Sequence, residues 1–91
     1  MVVQVVREKV FQMMHQELPY AIKLQHTLTR ILADNSVRLE YDVLVPHEGA
    51  RGMLVGSNGR IIGMIGIAAR RELEHLWRMR VHLFLQVSVK N

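Results

Sequence analysis

Between Val37 and Val45 every second residue is apolar or aromatic (Val37, Leu39, Tyr41, Val43, Val45), with Arg38, Glu40 and Asp42 set between them. Side chains in a strand alternate between faces, so this pattern predicts a strand with one face buried. Leu44 interrupts the polar face near its end, and Pro46 closes the strand because it cannot donate to a ladder. The same alternation runs from Arg80 to Lys90. There Val81, Leu83, Leu85, Val87 and Val89 face His82, Gln86 and Ser88, and Phe84 is the one large apolar residue on the polar side. A weaker period of two begins at Tyr20, with Ile22 and Leu24 opposite Lys23 and Gln25. The turn-forming cluster Ala33-Asp34-Asn35-Ser36 then predicts an antiparallel hairpin of the first two strands.

The remaining segments follow a helical period. Val3, Val6, Val10 and Met13 or Met14 predict an amphipathic helix over residues 2–18, stopped by Pro19. Residues 49–55 predict a short helix, the Gly56–Gly59 stretch interrupts it, and a longer helix follows. Ile62, Ile65, Ala69, Leu73 and Leu76 mark one face of that helix, and Arg70, Glu74 and Arg78 another. The order is helix, strand, strand, helix, helix, strand. This is an α+β class, with helices packed on one face of a three-stranded sheet. The chain has 91 residues, 49% of them hydrophobic, which predicts one domain over residues 1–91. No cysteine is present, which excludes a disulfide scaffold and thiolate metal sites. No apolar run approaches the roughly 20 residues that span a bilayer. Met1 to Val6 lacks a basic leader and does not read as a signal peptide.

Charge changes the picture because it is uneven. Residues 1–45 carry five basic side chains (Arg7, Lys9, Lys23, Arg30, Arg38) and five acidic ones (Glu8, Glu17, Asp34, Glu40, Asp42). Residues 46–91 carry seven basic (Arg51, Arg60, Arg70, Arg71, Arg78, Arg80, Lys90) and three acidic (Glu48, Glu72, Glu74), so the whole net charge of +4 lies there. A one-sided basic excess suits a polyanionic partner and equally suits a solvated helix face. Within that half, Gly56-Ser57-Asn58-Gly59 joins two helical patterns. Glycine lets the chain turn sharply and lets a ligand approach the backbone without meeting a Cβ. The free amides and dipole of the next helix favour an anion, and Arg60 adds a full charge beside them. The loop therefore predicts a phosphate-backbone cradle, with Val55, Ile62 and Ile65 as an apolar wall for bases. Two glycines three apart also describe a plain corner between helices, which is the reading the loop alone favours.

The surrounding residues separate these readings. Leu54-Val55-Gly56-Ser57-Asn58-Gly59-Arg60-Ile61-Ile62 matches the core pattern of KH domains: two aliphatics, glycine, two variable residues, glycine, two residues, isoleucine. KH domains clamp about four nucleotides of single-stranded nucleic acid at that loop. More of the chain resembles the C-terminal KH domain of the Era GTPase family. The resembling segments are Arg7-Glu8-Lys9, Glu17-Leu18-Pro19-Tyr20, Glu48-Gly49, Ile65-Gly66-Ile67, Ala69-Arg70 and Val81-His82-Leu83, in one register. The resemblance implies a KH type II topology and binding of single-stranded RNA near the 3′ end of small-subunit ribosomal RNA. It also implies a role in small ribosomal subunit assembly, beside an upstream GTPase domain that this chain does not include. Such a parent works in the bacterial cytoplasm or the mitochondrial matrix. Gly56 to Gly59 inherit the phosphate-binding role, and Val55 and Ile62 a place in the groove wall. The variable loop positions often include a basic residue in KH domains. Here they are Ser57 and Asn58, with Arg60 and Arg51 expected to compensate. Base selection is expected at an open strand beside the groove, near Val43 to Val45, with Val43 and Leu44 in contact.

Other chemistry finds little support. None of His15, His26, His47, His75 and His82 pairs with another at three- or four-residue spacing, so no helical metal site is expected. Gly49, Gly52, Gly56 and Gly59 lack the lysine and hydroxyl residue of a phosphate-binding P-loop, Arg60-Ile61 standing there instead. No catalytic constellation and no cofactor are expected. Trp77 and Phe84 can stack on bases; Trp77 reads better as a residue at the edge of the core. The rival to RNA binding is a KH fold whose groove docks a protein partner.

Overall fold

A computed structural model describes residues 1–14 and 22–90. Helix α1 spans Val2–Met14, strand β1 Lys23–Ile31 and strand β2 Val37–Val45. Helix α2 covers Glu48–Val55, a single 3-10 turn covers Ser57–Gly59, helix α3 covers Arg60–Trp77, and strand β3 covers Val81–Val89. The expected helix end at Pro19 and strand start at Tyr20 lie outside the described residues. Elements, order and class otherwise follow the hydrophobic pattern.

The sheet order is β1-β2-β3. β1 and β2 form the expected antiparallel hairpin, with a bulge between His26 and Leu28. At its turn, the Asp34 carboxylate accepts the Ser36 amide at 3.0 Å, and Asn35 takes the left-handed conformation at φ 68. β2 and β3 run parallel, Val37 opposite Val81 through Val45 opposite Val89. Parallel neighbours need a long crossover, which α2, the turn and α3 supply. β2 is therefore central and paired on both sides.

One sheet face is buried under the helices. Val37, Leu39, Val43 and Val45 of β2 and Val81 and Val87 of β3 meet Val6 and Val10 of α1, Leu54 of α2, and Ile65, Ala69 and Leu73 of α3. Val3 is only partly buried, and α1 turns Val2 and Val5 inward instead. Leu76, expected on the buried face of α3, is 50% exposed. In that last turn the neighbouring Trp77 packs against the core and donates its indole N–H to the Met1 sulfur at 3.2 Å.

Polar ties fix the helices. Lys9 of α1 donates to Glu72 of α3 at 2.6 Å, and this hydrogen bond raises the Lys9 pKa. Arg7 reaches the Ile22 carbonyl at 2.9 Å and holds α1 to the start of β1. Glu74 of α3 accepts the Val81 amide at 2.9 Å and pairs with Arg70 at 3.2 Å. The Val81 amide, more than Arg70, holds the Glu74 carboxyl below its ordinary pKa. A carboxyl lowered in the folded state stabilises above about pH 4.3, and loses that contribution as pH falls through its folded value. Glu74→Ala is expected to cost about 1–3 kcal/mol near neutrality, because it leaves the Val81 amide without an acceptor. Urea midpoints should show this gap shrinking as the pH approaches about 3; a pH-independent gap would contradict the assignment.

Candidate nucleic-acid interface

Between α2 and α3 the chain bends by 42°. Gly56 makes the bend possible. Its φ of 75 and ψ of −177 lie in a region essentially closed to residues with a side chain. A Cβ there would stand 2.7 Å from Cγ1 and 3.0 Å from both Cβ and N of Ile61. The glycine is thus required by the fold. Gly59 differs: it is left-handed at φ 75 and ψ 15, but a Cβ there would meet nothing within 4 Å. Asn58 is also left-handed, at φ 55 and ψ 30, which asparagine tolerates.

This path sets which amides are free. The Gly56 N–H donates to the Gly52 carbonyl at 2.9 Å, and the Gly59 N–H to the Gly56 carbonyl at 3.3 Å. Arg60 donates its amide to the Ser57 carbonyl. The amides of Ser57 and Asn58, at the exposed tip, have no acceptor among the described residues. Beyond them the Arg60 side chain is exposed and makes no ion pair among the described residues. The loop presents uncommitted donors, a helix start and one free cation together.

Beside the loop, a cavity of about 300 Å³ runs between α3 and β3. Its helical side is Gly59 of the turn and Ile62, Gly63, Gly66, Ile67 and Arg70 of α3, and its β3 side is Leu83, Phe84 and Leu85. The main chain of β3 opens onto it. The Arg80 carbonyl accepts from Val37, and the Lys90 amide donates to Val45, so even-numbered residues of β3 turn their polar groups to β2. Alternation turns those of Val81, Leu83, Leu85 and Val87 to the free edge. The Val81 amide is taken by Glu74, and the Val87 carbonyl by Arg51 Nε at 3.3 Å. Leu83 and Leu85, between them, face the cavity.

The expected site residues divide accordingly. Gly59 and Ile62 line the cavity, and Gly56, Ser57, Asn58 and Arg60 form the loop at its end. Val55 packs partly against the core. Arg51 is committed to Val87 and lies 3.8 Å from Glu48, at the β3 edge rather than the tip. The expected open strand near Val43 to Val45 is not present. β2 is paired along both edges, Val43 is fully buried, and Leu44 points to the face away from the helices between Lys23 and Ser88. The open edge belongs to β3. Gly63, Gly66, Ile67, Arg70, Leu83 and Leu85 were missed as site residues. The helical crossover after β2 was a partial signal, since it permits β3 to run parallel beside β2; the pairing of β3 with β2 rather than β1 is what leaves β2 in the middle. Phe84 is 47% exposed and carries the Arg38 guanidinium 4.2 Å above its ring.

An α+β unit with two helices meeting at a glycine corner, beside the free edge of a three-stranded sheet, defines a KH fold of type II. The KH domain pattern matches residues 17–91, and the chain belongs to that family. It is 42% identical over 87 residues to the GTPase Era of Caulobacter vibrioides, covering 96% of this chain and 28% of that protein. It is likewise 42% identical to the GTP-binding protein ERG of Antirrhinum majus, covering 21% of it. The fold superposes on Aquifex aeolicus Era bound to GDP and aluminium fluoride with a TM-score of 0.91 at 26% identity, over 98% of this chain and 30% of that one. It superposes with a TM-score of 0.90 on Era in complex with MgGDPNP and nucleotides 1506–1542 of 16S ribosomal RNA, also at 26% identity and 30% coverage. The chain thus spans under a third of the proteins it resembles.

The two loop glycines should respond differently to a side chain. Gly56→Ala combines a forbidden conformation with the Ile61 clash and is expected to cost more than about 2 kcal/mol. Gly59→Ala carries only the left-handed penalty of about 1–2 kcal/mol. Chemical denaturation of both variants checks the order, and equal losses would contradict it.

Proposed function

We propose that this chain is an RNA-binding module that holds a short single-stranded segment along the α3–β3 groove. The observation that carries the reading is the cavity itself: apolar walls, a free strand edge along one side, and a donor-rich glycine corner at one end. Phosphates would meet the amides of Ser57 and Asn58 and the Arg60 guanidinium. Bases would lie against Ile62 and Ile67, their edges reaching the main chain of Leu83 and Leu85. Base edges carry the sequence information, while backbone contacts hold the strand in register. Unpaired bases are what such a groove accepts, since a duplex keeps its edges paired and stacked.

The relatives supply the rest of the proposal. The RNA is small-subunit ribosomal RNA, the context is assembly of the small ribosomal subunit, and the chain is the binding module of a longer GTPase. Nucleotide hydrolysis would belong to the part of such a protein that this chain does not span. With bacterial and plant relatives, the setting is the bacterial cytoplasm or the mitochondrial matrix.

Replacing both Ser57 and Asn58 with aspartate should abolish most affinity for single-stranded RNA while leaving the circular dichroism spectrum unchanged. Undiminished binding by that variant would remove the loop from the site. Arg60→Ala should weaken binding and flatten the slope of log K against log salt by about one contact. Arg51→Ala should change that slope less, because its guanidinium already serves Val87 and Glu48.

A further inference from the structure

Asn58 is exposed at the tip of the loop and is the only asparagine of the chain with a glycine after it. An asparagine side-chain amide can be attacked by the main-chain nitrogen of the next residue. Glycine shields that nitrogen least, because it has no Cβ, and the space where a Cβ of Gly59 would stand is empty to 4 Å. At ψ 30 Asn58 turns the Gly59 nitrogen away from its own side chain, so the reaction needs this turn to open. Little holds the turn closed at that nitrogen. Its N–H reaches the Gly56 carbonyl at 3.3 Å, longer than an ordinary N–H···O bond. The start of α3 and the Arg60 guanidinium favour negative charge there, and so favour loss of the Gly59 amide proton. Asn35 is the internal contrast. It too is left-handed, at φ 68, but the next nitrogen belongs to buried Ser36 and donates to the Asp34 carboxylate at 3.0 Å. Two further bonds close that turn, Leu32 to the Ser36 carbonyl at 2.8 Å and Asn35 to the Leu32 carbonyl at 2.9 Å.

We propose that Asn58-Gly59 is a site of spontaneous deamidation, and that conversion there switches off RNA binding by placing a carboxylate in the phosphate cradle. The second half rests on the reading of the loop as that cradle. In the first step the Gly59 nitrogen, its proton lost to solvent base, attacks Cγ of Asn58. The N–Cγ bond forms, the Cγ–Nδ2 bond breaks, and Nδ2 takes up a proton and leaves as ammonia. A succinimide ring remains. Water then adds to one of its two carbonyls. Cleavage of the new N–Cγ bond gives aspartate, and cleavage of the original peptide bond gives isoaspartate. The sum is amide plus water to carboxylate plus ammonium, with no change of oxidation state and no break in the chain. Either product puts a negative charge beside the tip amides of Ser57 and residue 58, where it repels phosphate. Bound RNA slows the reaction, because a phosphate held by those amides keeps the turn closed. The loop thus stays competent while occupied and is lost when left empty.

The test incubates the chain in warm, mildly alkaline buffer with and without a saturating single-stranded RNA, and Asn58→Gln beside it. Glutamine would have to close a larger ring and reacts far more slowly. Mass spectrometry of proteolytic peptides follows each asparagine, ion exchange separates the more acidic product, and RNA affinity is measured against the fresh sample of the same protein. Wild type is expected to convert at Asn58 well before Asn35, and several-fold more slowly with RNA bound. The acidic fraction should bind RNA roughly tenfold more weakly, equivalent to about 1.4 kcal/mol, with an unchanged circular dichroism spectrum. Asn58→Gln should keep its own starting affinity throughout. Three results overturn the proposal while leaving RNA binding intact: no faster conversion at Asn58 than at Asn35, no protection by RNA, or an equal loss of affinity in Asn58→Gln. An acidic fraction deamidated at Asn58 that binds RNA undiminished would instead overturn the reading of the loop as a phosphate cradle, and the switch with it.

Discussion

The space beside Gly56 is occupied by the side chain of Ile61, and the course of both flanking helices follows from that contact. The chain can leave α2 only through a conformation open to glycine. It then makes one 3-10 turn and starts α3 at an angle to α2. Once α3 is set, its Ile65, Ala69 and Leu73 stripe buries against the sheet, and its other face borders β3. The groove is therefore a consequence of a steric constraint several residues away. At the corner, Gly56 serves the fold, while Gly59 and the two residues before it form the exposed surface.

Charge acts on a different part of the same arrangement. The basic excess of the second half is not a uniform field around the loop. Arg70 is paired with Glu74, Arg51 is tied to β3, and Arg60 alone stands beside the tip amides. Glu74 has a double role, since one carboxylate both closes α3 onto the start of β3 and orients Arg70 at the groove. Exposed charges contribute little to stability but attract a polyanion in a salt-dependent way. With a neutral Ser57-Asn58 tip, attraction and positioning fall to different groups: arginine side chains for the first, main-chain donors for the second.

Much of this was legible in the sequence. Strand alternation at Val37–Val45 and Val81–Val89 and helical spacing at Ile65, Ala69 and Leu73 gave the elements their places. Gly56 and Gly59 marked the corner. Which strand would be free was harder to read, because alternation reports which face is buried and says nothing about which edge is paired. Val43 and Leu44 were expected beside the groove for that reason, although β2 is the central strand. Gly63 and Gly66 look like weak points in a helix until β3 stands opposite them. Arg51 lies near the loop in sequence, yet its guanidinium reaches Val87, 36 residues on. Such positions acquire meaning only from contacts distant in the chain.

Amide chemical-shift mapping with a short single-stranded RNA tests the central claim most directly. The account predicts shifts concentrated at Ser57 to Arg60, at Gly63 to Ile67 and at Leu83 to Leu85, with the outer face of the sheet around Arg30, Asp42 and Ser88 unaffected. Shifts confined to that outer face, or to α1, with the glycine corner silent, would contradict it.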